Sequence, residues 1–314
     1  MLARQRAPKL GYFDIQVNGY GGIDFNQDDL SPEGLHTACE HLRADGVDGI
    51  LATIITEELQ QMAERLCRLV RLRCDDPLAR DVIVGVHIEG PFLSDKQGYR
   101  GAHPLDPLQP ASVDAMKMLL DATDGLLRLV TLAPEQDQTC KVIRYLADQG
   151  IVVSAGHCDP SLDQLRAAID AGLSMFTHLG NGCPMHLHRH DNVIQRTLSL
   201  AQSNPIWLCF IADGVHVDMP ALGNYLRLAG MDRAIVVTDA VAPAGLGPGR
   251  YTVGRWDLQI GEDLVSRSPD GSHWVGSAKS MSQCVENLRD HLGLNQEEID
   301  LLVSTNPRRA VGCS

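Results

Sequence analysis

Eight short apolar runs recur along the chain, and segments with helical periodicity separate most of them. The runs are rich in β-branched residues and nearly free of polar positions, which is typical of parallel strands buried on both faces. Their repeated alternation with helices predicts an α/β fold in which a parallel sheet closes into a (β/α)8 TIM-like barrel. The predicted strands cover 11–19, 49–55, 82–90, 127–135, 151–157, 174–181, 205–214 and 234–240. The predicted helices cover 31–46, 56–73, 111–123, 139–150, 161–172, 219–230, 280–292 and 296–303.

Two segments interrupt this alternation. Residues 91–110 are rich in Pro and Gly and predict a long loop after the third strand. Residues 243–277 contain short alternating runs and a Pro-Asp-Gly turn at 269–271, which predict a β-hairpin insertion after the eighth strand. Because neither a repeat nor a linker is evident, we expect 1–314 to form a single barrel domain.

Composition limits the cellular setting. No apolar stretch approaches the roughly 20 residues that span a bilayer, and the basic start of the chain lacks the apolar core of a secretory signal. The 9 cysteines are scattered and form no CxxC pair, which favours reduced thiols. We therefore expect a cytoplasmic protein that does not interact with membranes.

The formal net charge of −13 argues against a nucleic-acid partner, because nucleic-acid binding requires a basic surface. It also repels an anionic small molecule at long range. Such a ligand would require local compensation from a metal, helix N-termini or a few cationic side chains.

Acidic and imidazole side chains stand at the ends of four predicted strands: Glu89, His157, His178 and Asp239. The carboxyl ends of barrel strands are where this fold builds active sites. Two histidines and a carboxylate are the usual protein ligands of a catalytic metal that keeps one position open. The pattern thus predicts a metal-dependent hydrolase with Glu89, His157 and His178 as ligands of a divalent cation, zinc or ferrous iron.

Residue type alone leaves other roles open. Glu89 could instead be a salt-bridged structural acid, and His87, on the same face of its strand, is expected to support the site or to pack. Asp239 could exchange a proton with water and a leaving group, or it could cap the next segment. His103, in the long loop, could polarise a substrate carbonyl or lie in solvent. His186, His188 and His190 form either a metal tract or an exposed loop.

Several strings together identify a family. DIQVNGYGGIDF, GVHIEGPF, GAHP, SAGHCD, THLGNGCP, ADGVHVD, VTDAVAPAG and STNPRRAVG occur in this order, and the chain from about residue 11 to 312 resembles the N-acetylglucosamine-6-phosphate deacetylase family of the amidohydrolase superfamily. The resemblance implies hydrolysis of the acetamide of N-acetylglucosamine-6-phosphate. It implies Glu89, His157 and His178 as metal ligands, Asp239 as general base and then acid, and His103 as an aid at the carbonyl.

The resemblance also implies a substrate site. Asn181, Gly182 and His216 correspond to phosphate contacts, and Arg189 corresponds to a phosphate-binding arginine that reaches the neighbouring subunit's site, which implies a homodimer. Dinuclear relatives carry HxH on the first strand. This chain carries Gln16-Val17-Asn18, which resembles the mononuclear branch and predicts one metal ion per chain, with zinc expected and ferrous iron as the alternative.

The chain departs from the family in two ways. Only ten residues precede Gly11, so we expect the family's accessory β-sandwich to be largely absent, with only the hairpin remaining. The string that reads THLFNAMP in relatives reads THLGNGCP here, which leaves the anionic group of the substrate open. The alternatives are an amidohydrolase for an unphosphorylated acetamido sugar, an N-acyl amino acid or a cyclic amide, and a non-catalytic barrel that binds a sugar phosphate.

Overall fold

The computed structural model describes residues 10–253, 256–268 and 274–313. The basic segment at 1–9 and the Pro-Asp-Gly turn at 269–271 lie outside this part of the chain. The strands are β1 (Tyr12–Val17), β2 (Gly19–Tyr20), β3 (Ile23–Asp24), β4 (Val47–Ile55), β5 (Ile83–Glu89), β6 (Leu127–Leu132), β7 (Val152–Ala155), β8 (Leu173–Phe176), β9 (Trp207–Ile211), β10 (Ala234–Val237), β11 (Gly249–Val253), β12 (Trp256–Ile260) and β13 (Ser266–Arg267).

Eight of these strands form one parallel sheet in the order β1-β4-β5-β6-β7-β8-β9-β10. A parallel bridge between Val17 and Ala240 brings the last strand back to the first. The sheet therefore closes into the predicted TIM-like barrel, and each of the eight predicted strand segments overlaps one of its strands.

The α-helices are α1 (Pro32–Ala44), α2 (Leu59–Asp75), α3 (Pro77–Val82), α4 (Val113–Ala122), α5 (Lys141–Ala147), α6 (Leu162–Asp170), α7 (Val193–Ala201), α8 (Met219–Ala229), α9 (Met281–Leu292), α10 (Gln296–Asp300) and α11 (Asn306–Ala310). A 3-10 turn at Pro134–Gln136 and a π-helical turn at Leu301–Thr305 complete the helical elements of the described residues. None of the described helices combines the length and the apolar character that crossing a bilayer requires.

The apolar core has two layers that follow the alternation of each strand. On β9, Leu208 and Phe210 pack against the surrounding helices, whereas Cys209 and Ile211 belong to a separate cluster that fills the barrel. Val311, just after α11, joins this inner cluster and closes one end of the barrel. The opposite end, where the strands finish, is therefore left for polar groups.

The 243–277 insertion forms a small antiparallel sheet in the order β11-β12-β13. Val241, Ala242, Leu258, Ile260 and Val275 bury one face of it. The predicted hairpin is present as β11 and β12, and the short β13 extends it. Trp274 to Gly276 return from this sheet to the open end of the barrel, where they line a cavity.

Candidate metal centre and active site

Four chemically important side chains lie at the carboxyl end of the barrel. Glu89 is the last residue of β5, while His157, His178 and Asp239 each follow their strand by two residues. These three have left-handed backbone, with φ of 49°, 31° and 52° respectively. Non-glycine residues rarely adopt this conformation, and it concentrates at functional sites because the surrounding structure must enforce it.

Glu89, His157 and His178 form a compact buried cluster. Oε1 of Glu89 lies 3.3 Å from Nε2 of His157 and 3.1 Å from Nε2 of His178. Tetrahedral zinc with bonds of about 2.0–2.1 Å separates its ligand atoms by about 3.3 Å. Among the described residues, this is the group whose donor atoms are close enough to share a metal ion. The donor set and its spacing therefore fit a divalent cation.

The tautomer of His157 supports the same interpretation. Its Nδ1 lies 2.8 Å from the carbonyl oxygen of Tyr99 and must donate to it, because a carbonyl can only accept. The ring nitrogen Nε2 then faces Glu89 and is the atom that can serve a metal ion. A histidine that donates from one nitrogen to a backbone carbonyl and offers the other is typical of metal ligands.

The electrostatics of the cluster depend on a shared positive charge. Burial disfavours ionised Glu89, but hydrogen bonds from His157 and His178 hold its pKa well below the usual value. Burial likewise opposes a charge on His178, yet its contact with Glu89 raises the pKa of that imidazole. A buried carboxylate between two imidazoles requires a proton or a cation for compensation.

Two amide side chains lie between Asp239 and this cluster: Gln16 in β1, and Asn18 just after it. Its Oδ1 accepts from Nδ2 of Asn18 at 2.8 Å and from Nε2 of Gln16 at 3.1 Å. The same Gln16 nitrogen lies 3.1 Å from Oε2 of Glu89, so it bridges the two carboxylates. Burial, followed by the negative charge of Glu89, raises the pKa of Asp239 to about 6. Oδ2 is the oxygen left to exchange a proton with a ligand.

His103 is buried beside the cluster, and its exposed fraction of 5% excludes the solvated alternative. Its ring lies 4.4 Å from that of His157, centroid to centroid. The hydroxyl of Thr56 is 2.9 Å from Nδ1, and burial lowers the pKa of His103 to about 3. The neutral imidazole can donate from Nε2 when the Thr56 hydroxyl donates to Nδ1.

A belt of buried hydroxyls supports the cluster from below. Nε2 of His87 lies 2.8 Å from Oγ1 of Thr131, which is 2.7 Å from Oγ1 of Thr177. The hydroxyl of Ser154 is 2.7 Å from the same Thr177 oxygen. His87 is fully buried, and burial lowers its pKa to about 4. It is therefore a neutral, buried group beneath Glu89 that contacts the hydroxyl belt.

A cavity of about 1050 Å³ opens above these groups. Asn181, Gly182 and His216 line it, together with Glu89, His103, His157 and Asp239. Arg189 does not line it. This residue is exposed on the loop between β8 and α7. His186, His188 and His190 are exposed on the same loop, with 6.2 Å between the rings of His188 and His190.

Sequence reasoning missed two residues that contact His216: Trp274, which lines the cavity, and Asp213, which lies behind it. Asp213 binds His216, and Trp274 packs edge-on against the same imidazole at 5.3 Å. The Asp213–His216 spacing in ADGVH is a signal that could have been used, because an Asp commonly binds backbone and side chains two or three residues ahead. Nothing in the sequence around Trp274 shows that the insertion returns to the cavity.

Comparison with family models gave no match. Among curated proteins, human N-acetylglucosamine-6-phosphate deacetylase is 33% identical over 313 residues, which cover 96% of this chain and 74% of the human protein. The N-acetylgalactosamine-6-phosphate deacetylase of Escherichia coli O157:H7 is 30% identical, with coverage of 96% and 77%.

Solved structures agree with the curated relatives. A mutant N-acetyl-D-glucosamine-6-phosphate deacetylase from Mycobacterium smegmatis, solved in complex with N-acetyl-D-glucosamine-6-phosphate, superposes with a TM-score of 0.86 at 29% identity. The match covers 96% of this chain and 77% of that one. The similarity therefore extends over both sequence and fold.

Proposed function

The chain belongs to the N-acetylglucosamine-6-phosphate deacetylase family, and from this premise we propose that it hydrolyses N-acetylglucosamine-6-phosphate to glucosamine-6-phosphate and acetate. The observation that carries the proposal is the buried Glu89-His157-His178 cluster facing Asp239 at the floor of one cavity. A pure binding protein would have no use for a carboxylate held opposite a metal-ligand set, so this arrangement favours an enzyme.

Glu89, His157 and His178 would hold one divalent cation, for which we propose zinc, with ferrous iron as the alternative. Bound there, the cation supplies Lewis-acid chemistry, which makes water more acidic and polarises a carbonyl. Gln16 and Asn18 stand where dinuclear relatives carry histidines, and their amide groups donate to carboxylates instead. This supports a stoichiometry of one metal ion per chain.

Asp239 would act as general base and then as general acid. Its Oδ2 takes a proton as the water oxygen bonds to the acetamide carbon, and the proton then passes to the sugar nitrogen as the carbon–nitrogen bond breaks. A pKa of about 6 suits both directions of transfer near neutral pH. The two amides on Oδ1 fix the orientation of the carboxylate during the exchange.

His103 would donate from Nε2 to the carbonyl oxygen as negative charge develops on it. This requires the tautomer in which the Thr56 hydroxyl donates to Nδ1, across 2.9 Å. The low pKa of His103 keeps the ring neutral, so it contributes a dipole without adding a second full charge beside the metal ligands.

Asn181, the backbone N–H of Gly182, and His216 would bind the phosphate, with Arg189 supplied by the other subunit of a homodimer. The exposed position of Arg189, outside the lining of its own cavity, is compatible with a role in a neighbouring site. We also propose a cytoplasmic location, since all 9 cysteines are free thiols, which a reducing compartment maintains.

Acetate release tests the proposal directly. Purified protein with its metal content measured is assayed with N-acetylglucosamine-6-phosphate, its C4 epimer N-acetylgalactosamine-6-phosphate, and unphosphorylated N-acetylglucosamine. The epimer is included because a 30% identical relative carries that name. Metal-replete protein that releases no acetate from any of them would favour a non-catalytic sugar-phosphate-binding barrel.

The proton carrier is tested by Asp239→Asn. The variant should retain one metal ion per chain, because Asp239 is not in the cluster of ligands, and should lose at least about a thousandfold in kcat. Glu89→Gln is the matched control, since it should lose the metal as well. Turnover by Asp239→Asn within tenfold of the unsubstituted protein would exclude Asp239 from this role.

A further inference from the structure

A buried carboxylate lies directly behind the part of the cavity lined by His216. Oδ2 of Asp213 accepts from Nδ1 of His216 at 2.7 Å, and Oδ1 accepts the backbone N–H groups of Val215 and His216 at 2.9 and 3.0 Å. His216 lines the cavity, whereas Asp213 does not. Because Nδ1 is bound to Asp213, Nε2 is the nitrogen that remains for a ligand.

The Asp213 carboxylate and its backbone are held in place by residues at the end of the 243–277 insertion and just after it. The Ser277 hydroxyl donates to Oδ2 of Asp213 at 3.1 Å, and Nζ of Lys279 donates to the Asp213 carbonyl at 2.7 Å. Burial alone would favour the protonated acid, but the hydrogen bonds, led by His216, lower the pKa of Asp213 to about 2. Asp213 is therefore an ionised, immobile acceptor.

Trp274 covers a third side of the His216 ring, edge-on at 5.3 Å. This contact limits the access of water to the Asp213–His216 pair, and electrostatic interactions strengthen where water is excluded. The imidazole thus has a fixed carboxylate on one nitrogen, an aromatic side chain against its ring and the cavity at its other edge.

We propose that Asp213 is a positioning residue that holds His216 as an anchor for the phosphate of the substrate. The proposal rests on the proposed function, because it assumes a phosphorylated sugar. When the phosphate arrives, the imidazole lies between two anions, with Nδ1 at the Asp213 carboxylate and Nε2 at a phosphate oxygen. An unphosphorylated sugar lacks the second anion, so the pair should favour the phosphorylated substrate.

The test compares Asp213→Asn with Asp218→Asn, which alters an exposed aspartate of the same ADGVHVD string whose side chain makes no capping hydrogen bond. The assays are acetate release from N-acetylglucosamine-6-phosphate and from N-acetylglucosamine, and inhibition by inorganic phosphate. For Asp213→Asn we expect KM for the phosphorylated sugar to rise about tenfold or more, phosphate inhibition to weaken similarly, and kcat to change less than about threefold. Asp218→Asn should match the unsubstituted protein.

Ser277→Ala provides a milder variant in case Asp213→Asn does not fold. It removes one of the donors to Oδ2 and should raise the same KM about threefold with little change in kcat. Equal losses with both sugars, or an unchanged KM for the phosphorylated one, would show that Asp213 only stabilises the fold and would overturn the proposal. Lack of turnover by the unsubstituted protein refutes the proposed function instead, so the two failures are distinguishable.

Discussion

Left-handed backbone at His157, His178 and Asp239 costs about 1 kcal/mol or more at each position, and backbone hydrogen bonds hold all three in place. The carbonyl oxygens of His157, His178 and Asp239 accept from Ser94, Asn181 and Ser277 respectively, at 3.0, 2.9 and 2.9 Å. Each acceptor is thus tied to a loop that lines or supports the cavity. The strain therefore couples the positions of these three residues to the loops around the cavity.

Gly101 shows how little space surrounds His157, one of the proposed metal ligands. Gly101 has φ of 61°, and a Cβ there would lie 2.9 Å from Cε1 of His157. We expect Gly101→Ala to destabilise the fold by about 1 kcal/mol and to weaken metal binding about tenfold, because His157 must move. Gly125→Ala is the matched control, since Gly125 has φ of 79° and open space around it.

Denaturant unfolding and competition with a chelator measure the two effects of these alanine variants. Both should lose similar stability, because both place a side chain on left-handed backbone. Only Gly101→Ala should release its metal more readily. Equal metal retention in the two variants would mean that the His157 ring adjusts without loss.

Asp14 is a buried acid with no role in the proposed chemistry. Burial raises its pKa to about 7 although Thr238 and the backbone of Gln16 donate to it. The folded pKa lies above the unfolded value of 3.8, so the stability from this group is complete below about pH 4 and is lost as the pH rises towards 7. The expected loss is about 4 kcal/mol over this range.

Asp14→Asn removes this titration. Urea unfolding between pH 4 and 8 should show that the unsubstituted protein loses stability relative to the variant as the pH increases, whatever constant offset the substitution adds. Groups that do not interact with Asp14 titrate equally in both proteins and cancel in the difference, whereas the negative charge of Asp239 is one cause of the raised pKa of Asp14. Two stability curves that run parallel between pH 4 and 7 would contradict the raised pKa of Asp14.

At the scale of elements, apolar runs predicted the barrel because each strand had to be buried on both faces. Helix α7 was missed, although Asn192 precedes an apolar pattern at helical spacing and its side chain caps Gln195. The buried hydroxyl belt around His87 could not be predicted. Whether the hydroxyls of Thr131, Ser154 and Thr177 meet depends on strand register and on closure of the barrel. Periodicity indicates which residues are buried, whereas register decides which of them meet.

Helix α7 also anchors the loop that carries Arg189. Oδ1 of Asn192 accepts from the backbone of Gln195 at 3.0 Å, and its Nδ2 donates to the carbonyl of His188 at 2.8 Å. We expect Asn192→Ala to cost about 1–2 kcal/mol of stability and to raise KM for the phosphorylated sugar, since the loop loses its tether. Thermal unfolding and steady-state kinetics measure both.

The control for Asn192 is Ser161→Ala at the start of α6, where a capping box serves the helix alone. It should cost about 1 kcal/mol without altering KM. If Asn192→Ala leaves KM unchanged while it lowers stability, the loop does not depend on this tether and its order must come from other contacts.

Over the whole molecule, a net charge of −13 opposes an anionic substrate. Asp24, Asp28, Asp29 and Glu57 add negative charge to the cavity lining, and Arg65 in this lining is already paired with Asp28 and Glu57. The sequence indicated that compensation would be needed, and the strand-end positions predicted which side chains would converge. It could not indicate which cations reach the cavity, because loops and subunit contacts determine that.

Arg189 provides the last prediction, because the proposed homodimer requires it to act in the neighbouring site. Arg189→Ala should raise KM for the phosphorylated sugar strongly, and Asp239→Asn should abolish turnover in its own site. When the two variants are unfolded, mixed in equal amounts and refolded, about half of the dimers should be mixed. Each mixed dimer contains one site with an intact Asp239 and an Arg189 from its partner, so about a quarter of all sites should regain normal kcat/KM.

This complementation experiment shows whether Arg189 acts in the site of its own subunit or in that of the neighbouring subunit. It requires no assumption about the metal. If Arg189 served its own subunit, no mixed dimer would combine it with an intact Asp239, and the mixture would show only the weak activity of Arg189→Ala. Arg196→Ala mixed with Asp239→Asn is the control, since Arg196 pairs with Asp159 and Asp191 of its own chain. Gain of activity that is confined to the Arg189 mixture therefore requires both a dimer and a shared active site.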